Sequence, residues 1–301
     1  MTDAAPPALS VVIPSVNGWS DLDRCLDALA AERESAALEV IVPERCGDEV
    51  RAAVAKRYPF VTVFPVSSTT SIPQMRAIGM LAASAPTVAV IEDHVIIRPG
   101  WAAAMRAART DDARVVGGHL INTATDDVVD WAAWLCEYHH LATPMPAGLV
   151  GAMHGNHTAY DRALLHRHRG VIESGQWEGA LHAAIQSEGV ALWSRPDIVA
   201  GHCKHYSVWE YTSQRFYYSR AYAAMRATTM PAVRRVVYGA TALALPPLLL
   251  LRIIRKVRTS DVYRPHLVRS LPLLLLFVIA WGVGETVGAW FGDGGALAKV
   301  A

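Results

Sequence analysis

The chain has 301 residues, enough for one large domain and an appendage, and its 52% apolar content is slightly high for a soluble protein, so something beyond a globular core absorbs the excess. Lys plus Arg total 28 against 27 for Asp plus Glu, which leaves no basic surplus to grip nucleic acid and excludes it as a partner. The opening MTDAAPPALS has no basic n-region and no apolar h-region of a secretory signal, and Cys25, Cys46, Cys136 and Cys203 lack any C-x-x-C pairing, so the first part of the chain is expected in a reducing cytoplasm with free thiols.

Short apolar runs at 9–14, 38–42, 61–66 and 87–91 alternate with stretches of helical spacing. That alternation is how a parallel sheet with crossover helices reads in sequence, so the first half is α/β, in the order β-α-β-(α)-β-α-β. Ser20 and Ser71 are placed to N-cap helices over 20–30 and 72–83. Further on, the pattern predicts a strand over 115–121, a helix over 128–138, a loop over 144–157 and a helix over 177–187. Trp131, Trp134 and Tyr138 share one stripe of their helix, as core or as an acceptor pocket. Glu178 and His182 lie one turn apart and are placed to pair.

Composition changes after about residue 235. Residues 236–251 are uncharged but contain Pro246 and Pro247, while 271–290 has about the length that a spanning helix needs. Arg252, Arg255, Lys256, Arg258, Arg264 and Arg269 between them read as a basic loop on the cytoplasmic side. A crossing by the first segment would put that loop and the N-terminal domain on opposite faces. The expectation is therefore a domain over 1–226 and a membrane-associated region over 227–301, with a re-entrant or interfacial hairpin at about 236–254, kinked at the proline pair, and a transmembrane helix at about 271–291. Gly284 and Gly288 form a G-x-x-x-G pair that would let another helix approach closely and so support a homo- or hetero-oligomer. Glu285, costly in hydrocarbon, is expected to face a protein neighbour or the headgroups.

The most informative stretch runs from Thr87 to Trp101, an apolar strand that ends in Glu92, Asp93 and His94. Ligands of open α/β sheets bind beyond the carboxyl ends of strands. A diphosphate there needs a divalent cation, Mn or Mg, held by hard carboxylate oxygens, with imidazole acceptable to manganese. An acidic turn capping the helix that begins near Pro99 is the competing reading.

The chain resembles the family 2 glycosyltransferases of the GT-A fold in four elements that occur in order: residues 9–17 (LSVVIPSVN), 38–42 (LEVIV), the acid cluster 92–94 followed by Pro99, Gly100 and Trp101, and Gly155-Asn156 leading to Trp177-Glu178. The match covers most of residues 8–226. The resemblance implies a nucleotide-diphospho-sugar donor whose base is held by Pro14, Ser15 and Asn17 and whose base or ribose meets Glu44, although PERCG at 43–47 stands where the family usually has Asp-Gly-Ser. It implies Arg76 at the diphosphate, with a structural salt bridge as the alternative, the nucleotide-sugar at Glu92, and the metal at Asp93 and His94. The Glu-Asp-His order departs from the family's aspartate motif. His202, and after it His205, would join the diphosphate or metal. Glu178 is the implied general base, with a first-turn glutamate favoured by the helix dipole as the alternative; with Asp93 it makes the expected catalytic pair. Arg215 and Arg220, in a stretch similar to the Q-x-x-R-W element of processive relatives, would bind a donor or lipid phosphate, or belong to an interfacial belt.

The expected activity is inverting transfer of a sugar to a lipid-linked, saccharide or membrane-proximal acceptor, in cell-envelope glycan or glycolipid synthesis, at the inner (plasma) membrane with the catalytic domain cytoplasmic. The departures at Glu44, His94 and Glu178-Gly179 favour a second reading, a catalytically degenerate GT-A module that binds nucleotide-sugar or scaffolds a membrane complex. A sugar-nucleotidyltransferase would want a Gly-rich basic phosphate loop after the first strand, which residues 15–18 do not supply.

Overall fold

The computed structural model describes residues 6–33, 37–143 and 145–300. The chain divides into two compact units, Met1–Ile121 with Pro146–Cys203, and Asn122–Met145 with Lys204–Ala301. This differs from a boundary at 226/227, because the helix Val128–Tyr138 packs on the long C-terminal helix and so draws its segment into the second unit.

In the first unit β1 (Leu9–Val12), β2 (Leu38–Glu44), β3 (Val61–Pro65) and β4 (Thr87–Ile91) pair in parallel, in the spatial order β3-β2-β1-β4. Strands covered on both faces are apolar throughout instead of alternating, and every residue of β1 and β4 is buried. The sheet then turns antiparallel through β8 (His157–Asp161), β6 (Val115–Asn122), β9 (Leu192–His202) and β5 (Val95–Ile97). A short β7 (Gly148–Val150) lies along β9, inside the stretch expected to be loop. Three residues are too few for a period to show, and β7 exists through its pairing with Leu192–Ser194.

Three registers position the polar residues at the strand ends. Val12 aligns with Val90, so the chain leaving β1 runs beside Glu92–His94. Ile91 lies opposite His157, which brings Asn156 to Glu92. Val95 lies opposite His202, and Cys203 N donates to His94 O at 3.0 Å, which brings the two histidines together.

The helix Ile72–Ala82 starts at Ser71 with a capping box to Gln74, as expected. The helix Trp19–Ala30 does not start on Ser20: its cap is Gly18 at φ 89, a backbone conformation that glycine reaches and serine avoids. A β-carbon on Gly79 would overlap Val12, so the helix Ile72–Ala82 lies close on β1 and carries Arg76 inward. The helix Trp101–Ala108 takes its cap from Glu32, whose oxygens accept from Trp101 N at 3.0 Å and Ala102 N at 2.7 Å. Glu92 and Asp93 are therefore not its caps.

The second unit contains the helices Val208–Ala227, Ala232–Ala242, Leu245–Val257 and Arg264–Phe291. The last begins earlier than expected and holds Pro272 inside, so Arg264 and Arg269 are helical, as are Arg252, Arg255 and Lys256. The two middle helices meet at 53°. Their break falls at Leu243-Ala244, with Pro246 and Pro247 already in the first turn of the following helix, where a missing N–H costs nothing. Among the described residues one helix, Arg264–Phe291, is by itself long and apolar enough to cross a membrane.

The glycine pair is occupied within the chain. A β-carbon on Gly284 would overlap Ser219 Oγ and the carbonyl of Phe216, and one on Gly288 the carbonyl of Arg220. Both glycines thus admit the helix Val208–Ala227 and not an oligomeric neighbour. Glu285 is buried and accepts from Tyr238 Oη at 2.8 Å and Trp281 Nε1 at 2.7 Å, facing protein as expected. Trp134 and Tyr138 are core, with Trp131 stacked on His266 and Trp134 on Tyr263. Replacing Gly288 by Val should lower stability by about 1–3 kcal/mol through overpacking, whereas Gly151→Ala, with open space at its β-carbon, should change little. Denaturant midpoints check both, and an unshifted midpoint for Gly288→Val would contradict this packing.

Candidate active site

The three registers assemble one cluster at the carboxyl end of β4. Glu92, His94 and His202 each offer one ligand atom, all within 4.8 Å of one another. His94 Nε2 faces His202 Nε2 at 3.0 Å and Glu92 Oε2 at 3.3 Å. One carboxylate and two imidazoles form a donor set that suits manganese or a similar first-row ion.

Asp93, expected among the ligands, is fully buried and faces the other way. Its Oδ2 accepts from the backbone N–H groups of Val16 at 2.7 Å and Asn17 at 2.9 Å, and Oδ1 accepts from Asn17 Nδ2 at 2.7 Å. The chain turns here, with Val95 N donating to Glu92 O at 3.0 Å, so Asp93 and His94 occupy the two central positions of a tight turn and their side chains leave in different directions. Oδ1 also lies 3.1 Å from His94 Nδ1. A proton on Nδ1 aimed at this carboxylate leaves Nε2 directed into the cluster, which makes Asp93 the orienter of a ligand. Asn17, expected at the nucleotide base, spends its side-chain amide on the same carboxylate.

Burial works to raise the Glu92 and Asp93 carboxyls, but the hydrogen bond and charge of His94 outweigh it, helped by Arg76 and His202 at Glu92 and by Asn17 and Val16 N–H at Asp93, so both are lowered. His94 is the counterpart: burial pulls it down, yet Asp93 and Glu92 raise it to about 9. At neutral pH a proton is held among these nitrogens, one that a divalent ion bound by them would displace.

Glu92 leads to the second half of the site. Its Oε2 accepts from Asn156 Nδ2 at 2.7 Å and its Oε1 from Arg76 Nη2 at 3.2 Å. Arg76 donates through Nη1 to Glu178 Oε2 at 2.9 Å, and Glu178 Oε1 accepts from Gly155 N at 3.2 Å. The guanidinium, placed by sequence at a diphosphate or in a salt bridge, thus bridges two carboxylates in the ligand-free protein. The Arg76 side chain is only 6% exposed against 20% and 22% for Glu92 and Glu178, so solvent reaches the cluster from the carboxylate side. A β-carbon on Gly155 would overlap Glu178, which explains the glycine there. Glu178 opens the helix Glu178–Ser187 but does not pair with His182, which meets Tyr160 Oη at 2.9 Å. Asn156 had no role assigned from sequence, because its partnership with Glu92 rests on an antiparallel register that no local pattern displays.

The remaining candidates lie elsewhere. Pro14 and Ser15 are buried on the continuation of β1, with Ser15 N donating to Pro43 O at 2.9 Å. Glu44 is fully buried; it accepts from the N–H of Cys46, from Gly47 N at 3.0 Å and from Arg51 Nη1 at 2.7 Å. It therefore ties down the start of the helix Asp48–Arg57 in place of the expected contact with base or ribose. In the second unit Arg215 pairs with Glu137 at 2.8 Å inside a ring of Tyr211, Tyr218 and Trp281, and His205 pairs with Asp130 at 2.8 Å.

The sequence model of the family described as "Glycosyltransferase like family 2" matches residues 6–236. No curated protein matches the chain. Among solved structures, the mannosyltransferase PcManGT from Pyrobaculum calidifontis in complex with GDP-Man and Mn2+ aligns over 94% of this chain and 89% of its own, with TM-score 0.53 and 18% identity. S. aureus TarS 1-349 aligns over 93% and 90%, with TM-score 0.49 and 13% identity. The fold is that of GT-A glycosyltransferases.

Burial lowers His182 to about 4, against 6.5 for an ordinary histidine. The folded protein therefore binds fewer protons than the unfolded chain between those values, and this contribution to stability is complete above pH 6.5 and lost as pH falls toward 4. His182→Gln should remove about 2 kcal/mol of the stability lost on going from neutral pH to about pH 5. Urea midpoints at the two pH values measure it, and an acid loss equal to that of the wild type would contradict a neutral buried His182.

Proposed function

The chain belongs to the family 2-like glycosyltransferases, and on that footing we propose that it transfers a sugar, with inversion, from a nucleotide-diphosphate donor to a lipid-linked or membrane-proximal acceptor in cell-envelope glycan or glycolipid synthesis. The observation that carries the reading is the continuous set Asp93–His94–His202–Glu92–Arg76–Glu178 at the end of β4, where ligands of such sheets bind. PcManGT, similar in fold, holds GDP-Man and Mn2+, which supports a nucleotide-sugar and a divalent ion here. Glu92, His94 and His202 would hold Mn or Mg, which would offset the charge of the donor's diphosphate.

The chain's own residues then divide the work. Asp93 acts through His94 and the loop after β1; fully buried, it positions and does not touch substrate. Arg76 is shared between Glu92 and Glu178 until a phosphate offers a bidentate, charge-assisted partner. A guanidinium drawn to that phosphate releases Glu178 Oε2, which takes the proton of the acceptor hydroxyl as its oxygen attacks the anomeric carbon opposite the departing diphosphate. Gly155 N–H keeps the other oxygen in place.

Manganese should raise the melting temperature of the protein, and a hundredfold excess over its Kd corresponds to about 3 kcal/mol. His202→Ala should lose that rise, and a variant stabilised as much as the wild type would remove His202 from the cation site. Glu178→Gln should cut transfer from GDP- or UDP-sugars by about 10²–10⁴-fold with donor binding retained. Full transfer in Glu178→Gln would sink the base assignment, and donor binding without turnover in the wild type would favour the degenerate module.

A further inference from the structure

The 28-residue helix Arg264–Phe291 is about 42 Å long, and on its own would pass through hydrocarbon about 30 Å thick. Its neighbours in the second unit argue for another course. The helix Val208–Ala227 runs parallel to it: Tyr211 meets Phe277 with ring centroids 4.6 Å apart, Tyr218 meets Trp281 at 5.6 Å, Gly284 admits Phe216 and Ser219, Gly288 admits the Arg220 backbone, and Arg220 Nε donates to Gly292 O at 3.0 Å. Residues 211–220 and 277–292 thus lie at the same depth in any membrane. The companion helix carries Glu210, Arg215, Arg220 and Arg226, and only Arg215 is buried against a carboxylate. On the opposite side Arg235 Nε donates to Ala289 O at 3.2 Å, adding a fourth arginine near the end of the long helix. A span would carry Arg215 and its partner Glu137, level with Trp281, into hydrocarbon, where an arginine costs about 3 kcal/mol, and would set the other three arginines at one interface.

What the long helix leaves open is one strip: Val268, Leu275, Leu276, Ile279, Val283 and Trp290, spaced by three, four or seven residues or adjacent, are its exposed large apolar side chains short of its last residue. An apolar groove of about 410 Å³ adjoins the strip, walled by Leu243, Pro246 and Leu250 of the bent pair and by Leu275, Ile279 and Val283. Val233, Val236, Val237, Leu248 and Leu251 on the bent pair are also exposed. Arg234, Arg252, Arg255, Arg258, Arg264 and Arg269 are exposed on the same helices and their connection. One apolar side rimmed by arginines fits a helix lying in the membrane plane among anionic headgroups, and the groove fits an acyl chain of that leaflet.

We propose that the second unit is a monotopic membrane anchor: the bent pair and the exposed strip of the long helix sink into one leaflet of an anionic bilayer, and the C-terminus stays on the side of the catalytic unit. This deepens the membrane-proximal part of the function proposed above, and it fails separately from the transferase reading, which donor turnover tests. In sealed right-side-out and inverted membrane vesicles holding the full chain with the exposed Cys46 replaced by Ser, Lys299→Cys and Glu173→Cys should react with an impermeant maleimide from the same side, with the Cys46→Ser parent as blank. Reaction of Lys299→Cys from the opposite side only would establish a span and overturn the proposal. Purified protein should float with phosphatidylcholine/phosphatidylglycerol vesicles, and the triple variant R252E/R255E/R269E should bind them at least about tenfold more weakly. Failure of the wild type to float, or undiminished flotation of the triple variant, would overturn the leaflet-docking surface while leaving transfer untouched.

Discussion

A single buried carboxylate organises the site. Asp93 has no exposure, yet stays ionised because two backbone N–H groups of the loop after β1, the Asn17 amide and the His94 ring converge on it. Those bonds join the first strand to the fourth at their carboxyl ends and set the tautomer and direction of His94. A neutral or missing group there would leave several buried donors without an acceptor, a cost of about 1–3 kcal/mol for each. The cluster of Glu92, His94 and His202 depends on that anchorage, because an imidazole free to turn would not keep Nε2 facing inward.

The second half of the site depends on sharing. Arg76 is close to fully buried and serves two acids at once, so both Glu92 and Glu178 have a cationic partner. On the proposed function, a guanidinium held this way would change partners when an anionic donor arrives, which would couple that arrival to the release of Glu178. The proton held near His94 follows the same logic, since a cation bound by Glu92, His94 and His202 would take its place.

Much of this was legible in the residues. The apolar runs of β1 and β4, the cap at Ser71 and the acidic tip at 92–94 all express local rules: continuous burial in a parallel sheet, a side-chain oxygen before a helix, and polar residues at a strand's end. The resemblance added Arg76, Glu178 and His202. What escaped was pairing. Asn156 reaches Glu92 through the antiparallel register of β8 with β4, which joins residues distant in sequence. The resemblance put the metal at Asp93, and no local pattern tells which of three consecutive polar side chains in a turn points where. The Gly284/Gly288 pair announced a close helix without saying whose, and Glu44 looked like a ligand residue while serving the turn that contains it.

On the proposed function, two imidazoles and one carboxylate at the tip of β4 would hold a divalent ion, with Asp93 behind His94. Electron spin-echo envelope modulation of Mn2+ added to the purified protein tests it directly, because imidazole nitrogens bound to the ion give resolved couplings and carboxylate oxygens do not. Coupling to two such nitrogens is expected in the wild type and to one in His202→Ala. Bound manganese with no nitrogen coupling would contradict it.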